Sequence, residues 1–225
     1  MKNKKIVKKI LHYLGEIIVV TIGIFIAFQL NNYAEAQKMK NREESSLKRI
    51  VSDLESEKNW LKTNQKHFTR SKQKLERILF ENDRQNLDSL YYFLAREYVH
   101  FNYNVEYSTL KFSGNLFMIS NDSIRSSLVK YYEFNYTYSE EIAQRHKSFV
   151  ENYLLEYLSD SFSLNQAFLY DGVEVEGKLE DQEFIEKIET QVMWYGTVLT
   201  TIKLDYVNHL IDAINKEIGK NANKK

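Results

Sequence analysis

Residues 10–30, ILHYLGEIIVVTIGIFIAFQL, form an apolar run broken by few polar side chains, with Lys2, Lys4, Lys5, Lys8 and Lys9 before it and Asn31 and Asn32 after it. A helix of that length reaches about 31 Å, close to the thickness of a bilayer's hydrocarbon core. The pattern then changes to a seven-residue repeat. Leu47, Leu54, Leu61, Phe68 and Leu75 recur at that spacing, joined by Ile50, Val51, Ile78 and Leu79. That is one apolar seam on a helix. Lys58, Gln65 and Lys72 occupy the expected complementary positions, which favours packing within a bundle over a dimeric coiled coil. A second long helix follows from Ile124, Leu128, Tyr131, Tyr138, Ile142, Phe149 and Tyr153. A third follows from Ile185, Ile188, Val192, Tyr195, Leu199, Ile202, Tyr206, Leu210 and Ala213.

Between these long elements the signals are local. Residues 81–86 (ENDRQN) read as a turn, residues 88–98 as a short helix, and residues 101–104 as a break. Another short helix runs into Ser113-Gly114-Asn115, then an apolar patch at residues 116–119. Ser120, Asn121 and Asp122 are good helix N-caps before Ile124. Gly114 is expected to take a backbone conformation that other residues resist. Residues 159–183 lack a helical period and are acidic, so an exposed loop is expected there. The stretch DGVEVEGKLEDQE does not match the carboxylate spacing of a calcium loop.

Composition narrows the fold class. The 225 residues include no proline and seven glycines, and none of those glycines lies between Gly23 and Gly114. Strands and tight turns need both residues far more than helices do, so an all-α chain is predicted. Sixteen tyrosines and thirteen phenylalanines spread over both faces of the helices and read as packing material. Lysine plus arginine equals aspartate plus glutamate at 31 each, which argues against a general polyanion or nucleic-acid binder. Charge is uneven, however: Lys62, Lys66, Arg70, Lys74 and Arg77 form one basic stripe, either a solvated face or a seat for an anionic partner. Without cysteine there is no disulfide, thiolate nucleophile or cysteine metal site.

The apolar run carries its own candidate contact. At 100° per residue His12, Glu16, Gly23 and Ala27 share one face, and small residues four apart let two helix backbones approach closely. Glu16 is costly in hydrocarbon, so it either seals a helix–helix contact or sits near the headgroups beside His12 and the lysines. Five lysines before the run outnumber Lys38, Lys40 and Arg42 after it, which places the N-terminus in the cytoplasm. A cleaved signal peptide is the competing reading, because Ala34-Glu35-Ala36 has the small-x-small form of a cleavage site. The long apolar stretch and the polar residues before that site favour retention as an anchor.

Two segments, GEIIVVTIGIFIAFQLNN and YSTLKFSGNLFMISNDSIRSSLVKYY, together resemble an uncharacterised family of small bacterial single-pass membrane proteins. The family has an N-terminal Gly-Glu-Ile anchor ending in Gln-x-Asn-Asn and a mid-chain Thr-Leu-Lys-x-Ser-Gly block leading into Arg and Tyr-Tyr. Gly15, Glu16, Gly23, Gln29, Asn31, Asn32, Thr109, Leu110, Lys111, Ser113, Gly114, Asn121, Arg125, Tyr131 and Tyr132 fall on that pattern. The resemblance implies a membrane protein of unknown activity and supplies no catalytic residues.

No two of His12, His67, His100, His146 and His209 have the spacing of a zinc pair, and no phosphate loop, nucleophile elbow or kinase signature is present. The expected organisation is a cytoplasmic stub (1–9), a transmembrane helix (10–32), an extracytoplasmic antiparallel bundle of about three long and two short helices (33–218), and a disordered tail (219–225). The expected address is the inner membrane. The expected role is non-catalytic, without cofactor, metal, nucleic acid or identified small-molecule substrate. One version is a scaffold that binds another envelope protein or itself, with Lys111, Gly114 and Arg125 as candidate partner-binding residues. The other is an accessory or sensor-like subunit coupled to a multi-span membrane partner through Glu16, Gly23 and Ala27. Loss of a membrane partner on Glu16→Leu separates the second from the first.

Overall fold

A computed structural model describes the backbone of residues 2–222 and the side chains of residues 14–220. His12, the five N-terminal lysines and residues 223–225 carry expectations that lie outside those side chains. The described residues are helical with no strand, and the chain divides into two compact units, Met1–Leu47 and Lys48–Lys225.

One helix, α1 (Lys2–Phe80), contains both the apolar run and the heptad seam. No proline interrupts it, and its two glycines stand in the apolar run. It closes at Asn82, whose left-handed φ of 55° turns the chain, and the Asp83 N–H donates back to the Arg77 carbonyl at 3.1 Å. In the first unit, residues 14–34 are exposed along their whole length, and none of the most apolar stretch is buried within the chain. A core helix of equal apolarity in a soluble protein would be mostly covered. A signal sequence and a membrane anchor both meet the description.

The second unit is held by the seam. Leu54, Leu61, Phe68, Leu75 and Ile78 of α1 are buried, and the last three join a core with Leu90, Leu94 and Tyr98 from the segment after the turn and with Ile188 and Tyr195. The complementary seam differs from expectation. It runs through Ile50, Glu57, Asn64, Ser71 and Ile78, all buried, three residues after each heptad position instead of four. Its middle is polar, and the polar groups find local partners: Asn64 Nδ2 donates to the Trp60 carbonyl at 2.8 Å, and Ser71 Oγ lies 3.3 Å from His67 Nε2.

After the turn come α2 (Leu90–Leu94) and α3 (Val105–Phe112). The second long helix is α4 (Asp122–Lys130), α5 (Thr137–Phe149) and α6 (Leu155–Ser161), joined by wider π turns at Tyr131–Tyr136 and Val150–Leu154. Leu128, Tyr132 and Tyr136, and then His146, Val150, Leu154 and Leu158, are buried at steps of four. Each such step overshoots a 3.6-residue turn by about 40°, and the wider turns take up the excess.

The third long helix is broken. Helix α8 (Gln182–Thr201) ends where Ile202 becomes extended at ψ 101°, and α9 (Leu204–Ala222) restarts after it. A threonine pair stands at the break: Thr200 Oγ1 donates to the Thr197 carbonyl at 2.7 Å and Thr201 Oγ1 to the Val198 carbonyl at 2.8 Å. Such bonds compete with the helical ladder. The acidic segment also departs from an exposed loop. It contains α7 (Gly172–Lys178), capped by Asp171, whose carboxylate accepts the N–H groups of Val173 and Glu174. Phe162, Tyr170, Val175 and Leu179 bury that segment into the core. Helix α5 packs on α8, and α4 on α9.

Candidate functional site

The block that carries the mid-chain signature folds around two local devices. At the end of α3 the Gly114 backbone adopts φ 72°. The Gly114 N–H then donates to the Lys111 carbonyl at 3.1 Å and the Asn115 N–H to the Leu110 carbonyl at 2.8 Å, the paired bonds of a Schellman cap. Seven residues on, the Asn121 side chain accepts from the N–H groups of Ser123 and Ile124 and starts α4. Of the three residues expected to cap, Asn121 does so, and its amide also donates to Glu217 Oε2 of α9 at 2.9 Å.

Between the caps, a 3₁₀ turn at Leu116–Met118 swings Phe117 outward. Phe117 is 81% exposed, Phe134 68% and Phe112 84%. Leu116, Phe117, Val129 and Phe134 line an open groove of about 630 Å³, with Arg125 and Lys130 at its edge. Large aromatic side chains this far from a core mark an interaction surface more often than chance exposure does.

The three residues expected to bind a partner separate here. Arg125 lies at the groove, its guanidinium 5.3 Å from the Phe117 ring centre. It donates to the Ile119 carbonyl at 2.7 Å and pairs with Asp122, so it also holds the loop in place. Lys111 points elsewhere, to both Glu133 oxygens at 2.8 and 2.7 Å. With the Tyr107 hydroxyl at 2.7 Å, it keeps the Glu133 carboxyl below its usual range. Gly114 shapes the turn.

Under this block lies a layer of tyrosines. Tyr107 stacks on Tyr132 at 4.4 Å and Tyr131 on Tyr206 at 5.6 Å. The Tyr131 hydroxyl donates to Glu57 Oε1 at 2.5 Å, and Glu57 Oε2 is buried without a hydrogen-bond partner. Burial lifts the Glu57 carboxyl to about 7, with the Asp53 charge adding and the Tyr131 bond opposing. Nearby, Arg49 grips Glu106 through two bonds of 2.6 and 2.8 Å.

Glu16, Gly23 and Ala27 of the apolar helix are all exposed, and a Cβ placed on Gly23 would meet nothing within 4 Å. That face is therefore open at the position where a second helix would press. Among the described residues no three His, Asp or Glu side chains gather as metal ligands.

Reasoning from sequence missed the exposed phenylalanines and the buried Glu57. A usable signal for Phe117 was present: a four-residue apolar patch closed in by Gly114 and the Asn121 cap is too short to cover a helix face. Glu57 gave none, because a carboxylate at a seam position reads as solvated until its neighbours are known. Comparison with models of known families, with curated proteins and with solved structures returns no match.

Proposed function

We propose that this chain is a single-pass membrane protein of the uncharacterised bacterial family its two signatures resemble, and that it works by non-catalytic interaction. The N-terminal lysines stay in the cytoplasm, residues 10–32 span the inner membrane, and residues 33–218 stand outside it. The lysine excess before the span supports that orientation, and the uncovered apolar helix supports the span.

The observation that carries an interaction role is the aromatic groove at Phe117 and Phe134. Its lining is largely apolar, and its two charged residues are Lys130, which has no ion-pair partner among the described residues, and Arg125, which is already held by Asp122. It therefore suits an apolar segment of another envelope protein flanked by acidic residues. A photo-crosslinking side chain at position 117 of the full chain should give a discrete adduct in membranes, and Phe134→Glu should remove it. No adduct, or equal adducts from position 117 and from exposed Glu156, would sink the groove as the docking site.

The second reading is an accessory subunit bound to a multi-span partner through the Glu16, Gly23 and Ala27 face. The spacing of Gly23 and Ala27, small residues four apart that let a second helix approach closely, supports it. Glu16→Leu should then release a membrane partner in mild detergent while leaving the position-117 adduct intact.

A further inference from the structure

A second concavity lies away from the groove, between α1 and α2. It has a volume of about 520 Å³, is lined by His67 and Arg70 on one side and by Tyr91, Tyr92, Phe93 and Arg96 on the other, and contains no carboxylate in its lining. Pockets of this size take ligands of small-molecule dimensions.

Its charge is what sets it apart. Several cations of the unit are held by carboxylates: Lys74 and Arg77 by Asp83, Arg49 by Glu106, Lys111 by Glu133 and Arg125 by Asp122. Of the basic stripe seen in the sequence, Lys74 and Arg77 are thus consumed. Arg70 instead lies 5.8 Å over the Phe93 ring, and neither it nor Arg96 has an ion-pair partner among the described residues. Arg96 also borders a neighbouring cavity beside Glu97 and Glu151, but in this cleft the two guanidinium groups share a lining without carboxylates and leave it positive. His67 registers it: burial chiefly, and then the Arg96 and Arg70 charges, push its imidazole down to about 4. The histidine is neutral there, and the cleft holds its positive charge on the two arginines.

The aromatic wall is fixed in advance. The Tyr92 hydroxyl donates to the Ala167 carbonyl at 2.8 Å. Tyr91 is flanked by Phe168 at 6.3 Å and Tyr170 at 5.8 Å. Preset rings lower the ordering cost of binding a planar or apolar body, while a guanidinium offers paired donors to a phosphate or carboxylate.

We propose that this cleft binds a small organic anion, a phosphate or carboxylate borne on an aromatic or apolar body, with Arg70 and Arg96 holding the anionic group. The site is independent of the groove at Phe117, so either can fail alone.

The test is titration calorimetry on the full chain in non-ionic detergent micelles, with phenyl phosphate as probe and phenol as its uncharged control. Saturable 1:1 binding of phenyl phosphate, none of phenol, and at least tenfold weakening by R70Q and by R96Q are expected. Both arginines are exposed, so melting curves matching the native chain verify that the variants fold. A parallel titration with phosphatidylglycerol doped into the micelles identifies the source. Arginine-dependent binding of the lipid, or its competition with phenyl phosphate, names a headgroup, and indifference to it names a soluble anion. If neither phosphate compound saturates, or if either variant binds as tightly as the native chain, the proposal is overturned.

Discussion

Two buried polar clusters sit in the packed unit, and they are finished differently. Around His146 every group is matched. The Tyr98 N–H donates to His146 Nδ1 at 3.0 Å, which leaves Nε2–H to donate to Gln191 Oε1 at 3.1 Å. Gln191 Nε2 donates to the Leu94 carbonyl at 2.6 Å and to the Tyr195 hydroxyl at 3.0 Å, which in turn donates to the Phe93 carbonyl at 2.7 Å. The carbonyls at the end of α2 and the Tyr98 N–H beyond it are thus satisfied by side chains of α5 and α8. Around Glu57, one carboxylate oxygen accepts from Tyr131 and the other has nothing. The first cluster is a staple that replaces a missing stretch of helix ladder. The second is a titratable group held beneath the signature block at the expense of stability above its raised pKa.

Breaking the staple should cost most. Gln191→Leu strands the His146 donor in the core and leaves the Leu94 carbonyl only a 3.4 Å bond from the Tyr195 hydroxyl; at about 1–3 kcal/mol for an unmet group, the loss should be roughly 3 kcal/mol in all. The urea midpoint of the full chain should fall accordingly. A loss under about 1 kcal/mol would mean the cluster is not the staple described.

The pH response comes next. Glu57 is raised from 4.5 to about 7, so the folded state holds its proton more tightly than the unfolded one. Its contribution is complete below about 4.5 and is lost as pH rises through about 7, a change of about 3 kcal/mol. His146 is lowered by burial to about 4, and its contribution is lost in the opposite direction, as pH falls from about 6.5 through 4. The two slopes oppose each other between those limits. Glu57→Gln removes one of them: its stability relative to the native chain should rise from pH 4.5 to about pH 7 and level off above that. A difference that stays flat with pH would place the Glu57 carboxyl in water.

Smaller effects lie in the block above Glu57. Gly114→Ala forces a Cβ into φ 72° and should cost about 1 kcal/mol. Lys111→Ala removes an ion pair whose partners are both about two-fifths exposed, and should cost under about 1 kcal/mol and fade in salt. A larger, salt-independent loss would give Lys111 a role beyond Glu133.

The same contrast explains what the sequence made legible. The heptad residues Leu54, Leu61, Phe68 and Leu75, the cap at Asn121 and the turn at Gly114 are local signals, and each stands where its pattern put it. The complementary seam was misplaced by one residue, because Glu57, Asn64 and Ser71 are polar and carry no hydrophobic period. Their burial depends on Tyr131, Trp60 and His67. The break at Ile202 leaves that residue buried on the apolar face, so apolar spacing does not record it. Helix α7 was hidden by its charge, since Val175 and Leu179 alone anchor it among acidic neighbours. Phe117 and Phe134 look like core residues in composition, and the tertiary fold alone leaves them outside.

Alkaline carbonate extraction of membranes carrying the full chain tests the account most directly. A protein held by the exposed apolar stretch of α1 should remain in the membrane pellet with its N-terminus intact, and a chain with Ile18, Val20, Ile22 and Ile24 changed to serine should be released. Release of the native chain, or a mature N-terminus at Gln37, would contradict it.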